Sequence, residues 1–255
     1  MKVTFLGTGT SQGVPVIGCG CVVCLSTDSR DNRLRSSILV QTDKVHFVID
    51  TGPDFRQQML RAGVKRLDAV LYTHAHKDHI AGMDDIRAFN FLQKKPMDIY
   101  ATPEVQDALR REFHYVFTDF KYPGVPQIEL LLLENEAFEL QGEPILPIEV
   151  LHYKLPVLGF RIRDFVYITD ANAIAEVELE KLKGADTIVL NALRREPHIS
   201  HFTLEEAVDL AKRIGARKTY FTHISHQLGL HAEVNAELPA GIALANDGLV
   251  LEFAQ

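Results

Sequence analysis

The sequence predicts a layered α/β fold built as one domain, and three observations support this. The chain has 255 residues, of which 46% are hydrophobic and 24% are charged, so it can bury a large core. Runs rich in β-branched and aromatic residues alternate with segments that have apolar residues at helical spacing. No repeat, low-complexity tract or Gly/Ser/Pro-rich linker divides the chain.

The first third predicts strands, and the helices follow. “KVTFL”, “SSILVQ” and “VHFVID” carry the residue types that suit a pleated sheet. “DFRQQMLRAG” predicts a helix with Asp54 as N-cap and Gly63 as its left-handed end. Thr102 is expected to cap “TPEVQDALRREF”, which has proline at its first helical position. Thr203 fits a capping box in “TLEEAVDLAKRIG”, and Gly215 would end that helix.

Four predicted strands end on residues that can bind metal ions. “DAVLYT” runs into His74, “PIEVLH” ends at His152, “DFVYIT” runs into Asp170, and “RKTYFT” runs into His223. If these strands share one sheet and one direction, their ends meet at one rim, where loops usually carry function. We therefore expect these four side chains to converge.

The segment “YTHAHKDHIAG” concentrates such residues further, with His74, His76, Asp78 and His79 in six positions. A regular helix cannot bring all four together, because residues two apart point about 200° away from each other. We expect a loop between the strand and the helix “IAGMDDIRAFNF”. Imidazole and carboxylate suit zinc, manganese and iron, so the spacing predicts chelation. Asp50 is expected to orient one of the imidazoles.

A second set of ligands is predicted in “GCGCVVC”. Cys19, Cys21 and Cys24 supply three thiols of a tetrahedral site, and His226 of “THISHQ” is the candidate for the fourth ligand. Three cysteines cannot form an even disulfide set, and thiolates favour zinc. Buried free thiols and a redox set are the alternatives to a structural zinc.

“THAHKDH”, followed by a His, an Asp and a His at strand ends, resembles the signature of the metallo-β-lactamase superfamily. The resemblance extends over essentially the whole chain and implies a four-layer αββα sandwich with a dinuclear site on the shared edge of its two sheets. It implies that Asp170 bridges two ions, one held by His74, His76 and His152 and the other by Asp78, His79 and His223. Hydrolytic β-lactamases commonly lack this bridging Asp, so the resemblance favours phosphoester chemistry.

Three segments narrow the resemblance to the cyclic-phosphate phosphodiesterases of the carbon–phosphorus lyase pathway. These are “GTGTSQGVP”, the cysteine run, and “THISHQ”; “NDGLVLEF”, with Asp247 and Gly248, also matches their C-terminal strand. The resemblance implies hydrolysis of small cyclic phosphodiesters such as phosphoribosyl 1,2-cyclic phosphate. It implies two divalent ions, manganese or zinc, at the catalytic site and one structural zinc.

The same resemblance implies that His201, in “HISHFTLEEA”, gives a proton to the leaving group, while Asp78 and Asp170 complete the catalytic set. A purely structural His201 is the alternative. The preceding segment “NALRREPHIS” departs from the family pattern. Its Arg194, Arg195 and His198 are candidates for phosphate contact or for solvated surface residues.

The overall charge and the absence of long apolar runs exclude other classes of function. A net charge of −7 argues against a broad grip on nucleic acid, and no run of about 18 apolar residues could span a bilayer. The N-terminus develops no signal-type apolar stretch, so a cytoplasmic location is expected. The expected partner is a small phosphodiester; a homodimer is allowed. The rivals are a tRNA 3′-processing endonuclease, a thioester or lactam hydrolase, a cofactor-biosynthesis accessory protein and a non-catalytic metal protein.

Overall fold

The structure is a computed structural model that describes residues 1–119 and 122–253. Its strands are β1 Lys2–Gly7, β2 Ser37–Gln41, β3 His46–Ile49, β4 Ala69–Leu71, β5 Met97–Ala101, β6 Ile128–Leu132, β7 Phe138–Leu140, β8 Glu143–His152, β9 Leu155–Ile162, β10 Phe165–Tyr167, β11 Ala173–Ile174, β12 Thr187–Asn191, β13 Lys218–Thr222, β14 Ile242–Leu244 and β15 Val250–Glu252.

Its α-helices are α1 Phe55–Arg61, α2 Lys77–Ile80, α3 Arg87–Gln93, α4 Pro103–Glu112, α5 Glu176–Glu180, α6 Leu204–Ile214 and α7 His231–Glu237. Short 3-10 helices span Ser29–Asp31, Met83–Ile86 and His114–Val116. No helix within residues 1–119 and 122–253 is long and apolar enough to cross a bilayer.

The described strands form two mixed sheets. The first has the order β15-β1-β2-β3-β4-β5-β6 and is antiparallel up to β3 and parallel beyond it. The second has the order β11-β8-β9-β10-β12-β13-β14, with β7 added to β8. Its strands are parallel from β10 to β14 and antiparallel elsewhere.

Alternation along the strands separates the core into layers. Ile38 and Val40 of β2 point into the cluster between the two sheets, whereas Leu39 points into the cluster under α1, α3 and α4. A third cluster joins the second sheet to α5, α6 and α7. Because successive side chains of a strand face opposite sides, these three clusters define the four-layer αββα sandwich that the resemblance implied.

The helix ends follow the sequence closely, with one exception. Thr102 and Thr203 cap α4 and α6, Thr203 in a complete capping box, and Gly215 ends α6 with φ +73°. Gly63 also has the predicted left-handed conformation, with φ +62°. Asp54 precedes α1 but makes no capping hydrogen bond. Its carboxylate instead accepts from the backbone and guanidinium of Arg35, a long-range contact that no local pattern indicates.

The four ligand-bearing strands do not share one sheet as the strand-end expectation assumed. β4 lies in the first sheet, while β8, β10 and β13 lie in the second. β8 is antiparallel to β9, which is antiparallel to β10, and β10, β12 and β13 are mutually parallel. These three strands therefore run in one direction, and their C-terminal ends meet the end of β4 across the shared rim of the sandwich.

Candidate metal centre

Three residues at this rim have a left-handed backbone. The φ angle is +66° at Asp50, +55° at Asp170 and +56° at His223. Asp and His adopt this region more readily than branched residues, but it still costs about 1–3 kcal/mol at each position. Such strain concentrates at functional sites, where the surrounding structure holds it in place. The sequence indicated the ligands at these positions but not this conformation.

The first cluster consists of three histidines. His74 and His76 follow β4, and His152 ends β8. Their ring centroids are 4.5 Å apart for His74 and His76, 5.1 Å for His76 and His152, and 5.6 Å for His74 and His152. One ring nitrogen from each lies within 4.8 Å of the other two. Three imidazoles at this separation could hold one metal ion.

The second cluster contains Asp78, His79, Asp170 and His223, whose donor atoms also lie within 4.8 Å of one another. Nε2 of His79 is 3.2 Å from Oδ2 of Asp78 and 3.3 Å from Oδ2 of Asp170. Asp78 and His79 lie on the short helix α2, for which His76 is the N-cap, and not on a loop as expected. One helical turn presents these two adjacent residues, and the loop before it presents the histidines.

Hydrogen bonds determine which ring nitrogen of His152, and which of His74, is free to face the first cluster. Nδ1 of His152 donates to the carbonyl of Ser200 at 2.8 Å, so its Nε2 carries the lone pair. The Thr73 hydroxyl donates its one hydrogen to Asp50 at 2.8 Å, so it can only accept from Nδ1 of His74 at 3.0 Å. Nε2 of His74 is therefore also free to bind a metal ion.

The remaining nitrogens indicate that the clusters are built for ions. Among the described residues, three ring nitrogens of the candidate ligands are buried and have no hydrogen-bond partner: His74 Nε2, His79 Nε2 and His223 Nδ1. A buried polar atom left unpaired costs about 1–3 kcal/mol. Binding of divalent ions among them would supply these partners, so the residues fit the dinuclear site that the sequence indicated.

Electrostatics within the clusters keep the carboxylates ionised and His74 neutral. Burial raises the pKa of Asp170, but His223 and His79 outweigh this and hold it well below its usual value. Burial, with a contribution from His79, lowers the pKa of His74 well below its usual value. Burial also lowers that of His79, but Asp78, Asp170 and other carboxylates raise it above its usual value. The carboxylates are thus ionised, as a metal ion requires.

His201 lies between the clusters. Its ring centroid is 4.6 Å from that of His152 and 4.8 Å from that of His223, and its Nδ1 is 3.9 Å from Oδ1 of Asp170. Burial, followed by the neighbouring His223, lowers the pKa of His201 to about 2. The imidazole is therefore neutral here, so in the free site it does not carry the proton that the resemblance has it give to the leaving group.

The two arginines before His201 have other tasks. Arg194 donates to the carbonyls of Glu196 and Pro197 and to the side chain of Gln227, so it braces this loop. Arg195 pairs with Glu237 at the surface. The ring of His198 lies 5.0 Å from that of His201, and its Nδ1 accepts from the amide of Ser200 at 3.3 Å. Of the three candidates for phosphate contact, His198 is the one whose ring contacts that of His201 among the described residues.

The cysteine run forms a separate cluster with His226. The Sγ atoms of Cys19, Cys21 and Cys24 lie 3.4, 3.3 and 3.5 Å from Nδ1 of His226. The Cys24 amide, followed by His226, lowers the pKa of Cys21 to about 6, whereas burial raises that of Cys24 to about 11. Three sulfurs around one imidazole fit a tetrahedral zinc site. The cysteines form no disulfide.

The sequence did not indicate what “GTGTSQG” does. The amide of Thr10 donates to the carbonyl of Ile224 at 3.1 Å, and the amide of Ile224 donates to the carbonyl of Thr8 at 2.9 Å. Oγ1 of Thr10 also lies 3.4 Å from Nε2 of His223. The segment therefore pairs like a neighbouring strand with Ile224, the residue after His223, and supports the left-handed turn at His223. Pairing across more than 200 residues leaves no local signal.

A family match covers more than half of the chain, and a similar solved structure covers nearly all of it. Residues 46–224 match the family described as the beta-lactamase superfamily domain. A solved structure described as a new diphosphatase from the PhnP family shares 44% of its sequence with this chain. It superposes with a TM-score of 0.93 over 99% of this chain and 98% of that one.

Curated relatives match over part of their length. An octanoyltransferase of Porphyromonas gingivalis is 41% identical over 252 residues, 98% of this chain and 51% of that protein. Coenzyme PQQ synthesis protein B of Rhodopseudomonas palustris is 30% identical over 169 residues, 56% of this chain and 53% of that protein. This chain thus spans about half the length of these relatives. Zn²⁺-bound PqqB from Methylobacterium extorquens, 23% identical with TM-score 0.77 over 99% of this chain and all of that one, shows the fold alone.

Proposed function

Because this chain belongs to the metallo-β-lactamase superfamily, we propose that it is a metal-dependent phosphodiesterase acting on small phosphodiesters, cyclic ones included. Phosphoribosyl 1,2-cyclic phosphate is the member of this class implied by the sequence resemblance. The proposed cofactors are two divalent ions, manganese or zinc, at the rim and one zinc at the cysteine cluster. The 44% identity to a PhnP-family diphosphatase supports phosphoester chemistry.

The position of Asp170 is the observation on which this proposal rests. Its Oδ2 lies 3.2 Å from Nδ1 of His223 in the second cluster. The same side chain also groups with His152, a member of the first cluster, and with His201. A carboxylate that faces both clusters suits a pair of ions, the arrangement that many phosphoesterases use.

Each ion would be held by its own set of side chains. His74, His76 and His152 would hold one ion, Asp78, His79 and His223 the other, and Asp170 would face both. When bound, such ions supply Lewis acidity toward phosphoryl oxygens and generate hydroxide near neutral pH. His74 and His152 are already held in place by Thr73 and Ser200 through the hydrogen bonds described above. Little rearrangement is therefore required before chemistry.

His201 would move the proton. Hydrolysis joins a water oxygen to phosphorus, breaks one P–O bond and leaves an alkoxide that must be protonated. Because a phosphodiester carries a negative charge, its arrival beside His201 would raise the pKa of this imidazole and favour its protonated form. The protonated ring would then transfer its proton to the leaving oxygen, which restores the neutral form found in the free site.

Octanoyl transfer is not proposed. The relative with that name is matched over 51% of its length, so its activity need not reside in the half that this chain resembles. Metal binding and proton transfer account for the side chains described at the rim of this sandwich, without a nucleophile for acyl transfer.

The test is hydrolysis by the manganese-loaded and zinc-loaded protein of a ribose cyclic phosphate and of an aryl phosphodiester. Asp170→Ala should lose a metal ion and its turnover, whereas Asp164→Ala, an exposed turn residue, should retain both. His201→Gln should lower kcat by roughly 10²–10⁴-fold with metal content unchanged. Elemental analysis of each variant provides a readout independent of turnover.

A wild-type protein that carries both ions but hydrolyses neither ester would overturn the proposal. Assays with a thioester and a β-lactam would then follow, since both reactions occur among the rival classes. Equal loss of turnover in Asp170→Ala and Asp164→Ala would instead point to general destabilisation and remove the support that Asp170 provides.

A further inference from the structure

A cavity of about 390 Å³ adjoins the first histidine cluster. It lies between the end of β4, the start of α4, the end of β6 and the β8–β9 hairpin. His74 and its neighbours Thr73 and Ala75 form one wall, so the cavity begins at a candidate metal ligand. A molecule whose phosphoryl group lay at the rim could place another part in this space.

The interior of this cavity is apolar. Val105, Leu133 and Leu158 are 2%, 2% and 5% exposed and line it, and the partly exposed Leu155 lies at its margin. Sites for small molecules are typically apolar clefts with a few polar groups that fix orientation. The walls therefore suit a hydrocarbon or aromatic group more than a strongly hydrated one.

Apart from His74, the ionisable side chains that line the cavity are all acidic. Glu104, Glu134 and Glu149 are exposed, line it and make no ion pair within residues 1–119 and 122–253. In the same described part of the chain, no lysine or arginine lines it. Uncompensated carboxylates at the entrance repel anions and attract cations.

The adjoining helix start does not offset this charge. Thr102 caps α4 by accepting from the amide of Val105 at 3.4 Å, and Pro103 has no amide hydrogen. A helix N-terminus binds phosphate through free amide hydrogens, and at α4 these two positions provide none. Glu104 adds a negative charge in the first turn.

We infer that this cavity binds one alcohol arm of the phosphodiester substrate, and that it selects an apolar arm that is uncharged or cationic over one bearing a second phosphate. The inference rests on the proposed function, because it takes the reacting phosphoryl group to lie at the rim. Within that class it favours simple ribose cyclic phosphates and alkyl or aryl diesters over substrates with an additional phosphate, among them phosphoribosyl 1,2-cyclic phosphate, the compound that the sequence resemblance implies.

The test uses analogues that cannot be hydrolysed, so that binding and turnover are measured separately. Benzyl(methyl)phosphinates have carbon in place of both ester oxygens, so neither bond can be hydrolysed, and they keep the single negative charge of a phosphodiester. They are prepared with three para groups: hydroxymethyl, trimethylammoniomethyl and phosphonooxymethyl. Calorimetric titration of the metal-loaded full chain should give tightest binding for the cationic analogue and weakest for the phosphorylated one.

Variants that each remove one carboxylate test whether the cavity causes this order of binding affinities. Glu149→Gln should narrow the affinity ratio between the cationic and phosphorylated analogues by roughly two- to fivefold, as expected for loss of one exposed charge interaction. Glu139→Gln is the matched control, because Glu139 is equally exposed on β7 but lies outside the cavity. It should leave the ratio unchanged, and added salt should reduce the ratio in the wild type.

Binding of the phosphorylated analogue as tightly as the uncharged one would overturn the inference, as would failure of all three to bind. A ratio that responds equally to Glu149→Gln and Glu139→Gln would also overturn it, because the selection would then not arise at the cavity. Binding in the expected order without hydrolysis of the corresponding aryl esters would overturn the proposed phosphodiesterase function and leave the cavity's selectivity standing.

Discussion

Oδ2 of Asp50 lies 2.7 Å from Nδ1 of His79, and neither side chain is exposed to solvent. The carboxylate also accepts from the amide and the hydroxyl of Thr73 at 2.9 and 2.8 Å. Asp50 therefore connects two metal-binding segments, since Thr73 in turn contacts Nδ1 of His74. The contact with His79 agrees with the sequence prediction that Asp50 orients one imidazole, and the sequence did not predict the link to His74 through Thr73.

Asp50→Asn should weaken binding of divalent ions by about 10- to 100-fold. Three donors converge on the carboxylate, and an amide has one oxygen, so at least one donor would face an NH₂ group. Competition with a fluorescent chelator measures the affinity. Asp107→Asn, on the exposed face of α4, is the control and should bind as the wild type does. Equal affinities in all three proteins would contradict the orienting role.

Gly52→Ala should reduce both stability and metal binding. A Cβ at this position would lie 2.1 Å from the carbonyl oxygen of Asp78, so the backbone that carries Asp78 and His79 would have to move. Overpacking of this kind costs about 1–3 kcal/mol. Denaturant unfolding with and without chelator separates the two effects. Gly20→Ala is the comparison, because its Cβ would meet nothing within 4 Å; a Gly52 variant as stable as this one would refute the expectation.

His226→Ala should remove one metal ion per chain and leave the rim clusters loaded. Nδ1 of His226 is the atom about which the three sulfurs gather. If the free zinc concentration is about 100 times the dissociation constant of the site, loss of the site lowers the free energy of unfolding by about 2.7 kcal/mol. Elemental analysis and denaturant unfolding measure the two changes. His114→Ala, at an exposed position, should change neither. Unaltered zinc content in His226→Ala would count against a structural zinc.

His231 should make the stability depend on pH. Its Nδ1 is 3.0 Å from Nη2 of Arg33 and must accept that hydrogen, so the ring is neutral. Burial, with Arg33 and Arg30, lowers the pKa of His231 to about 4, although Asp28 and Asp31 oppose this. Between pH 6.5 and 4 the unfolded state binds the proton and the folded state does not, so stability falls as the pH is lowered.

The variant for this test is His231→Asn, whose oxygen can take the place of Nδ1 without titrating. The free energy of unfolding of the wild type, minus that of the variant, should be constant above pH 7. It should decline below pH 6.5 by at most about 1.4 kcal/mol per pH unit and about 3 kcal/mol in total. A difference that does not vary with pH would show that folding leaves the pKa of His231 unchanged, which would contradict this expectation.

Local chemistry accounts for what was predicted correctly. The capping box at Thr203 and the cap at Thr102 depend on contacts three residues apart, so the residues in sequence are sufficient to indicate them. Alternation in β2 likewise assigns Leu39 and its neighbours to opposite faces. Asp54 does not cap α1 because its carboxylate binds Arg35, 19 residues away. The residues next to Asp54 in the sequence give no indication of this contact.

The sequence by itself determined the chemical character of the site, because imidazole, carboxylate and thiol ligands are properties of single side chains and their spacing. It also indicated that His74, His152, Asp170 and His223 stand at strand ends. Only the tertiary structure decided that these ends belong to two sheets, that Asp170 and His223 adopt left-handed turns, and that His226 closes on the distant cysteines. These outcomes depend on packing between segments far apart in the chain, whose energy no short stretch of sequence contains.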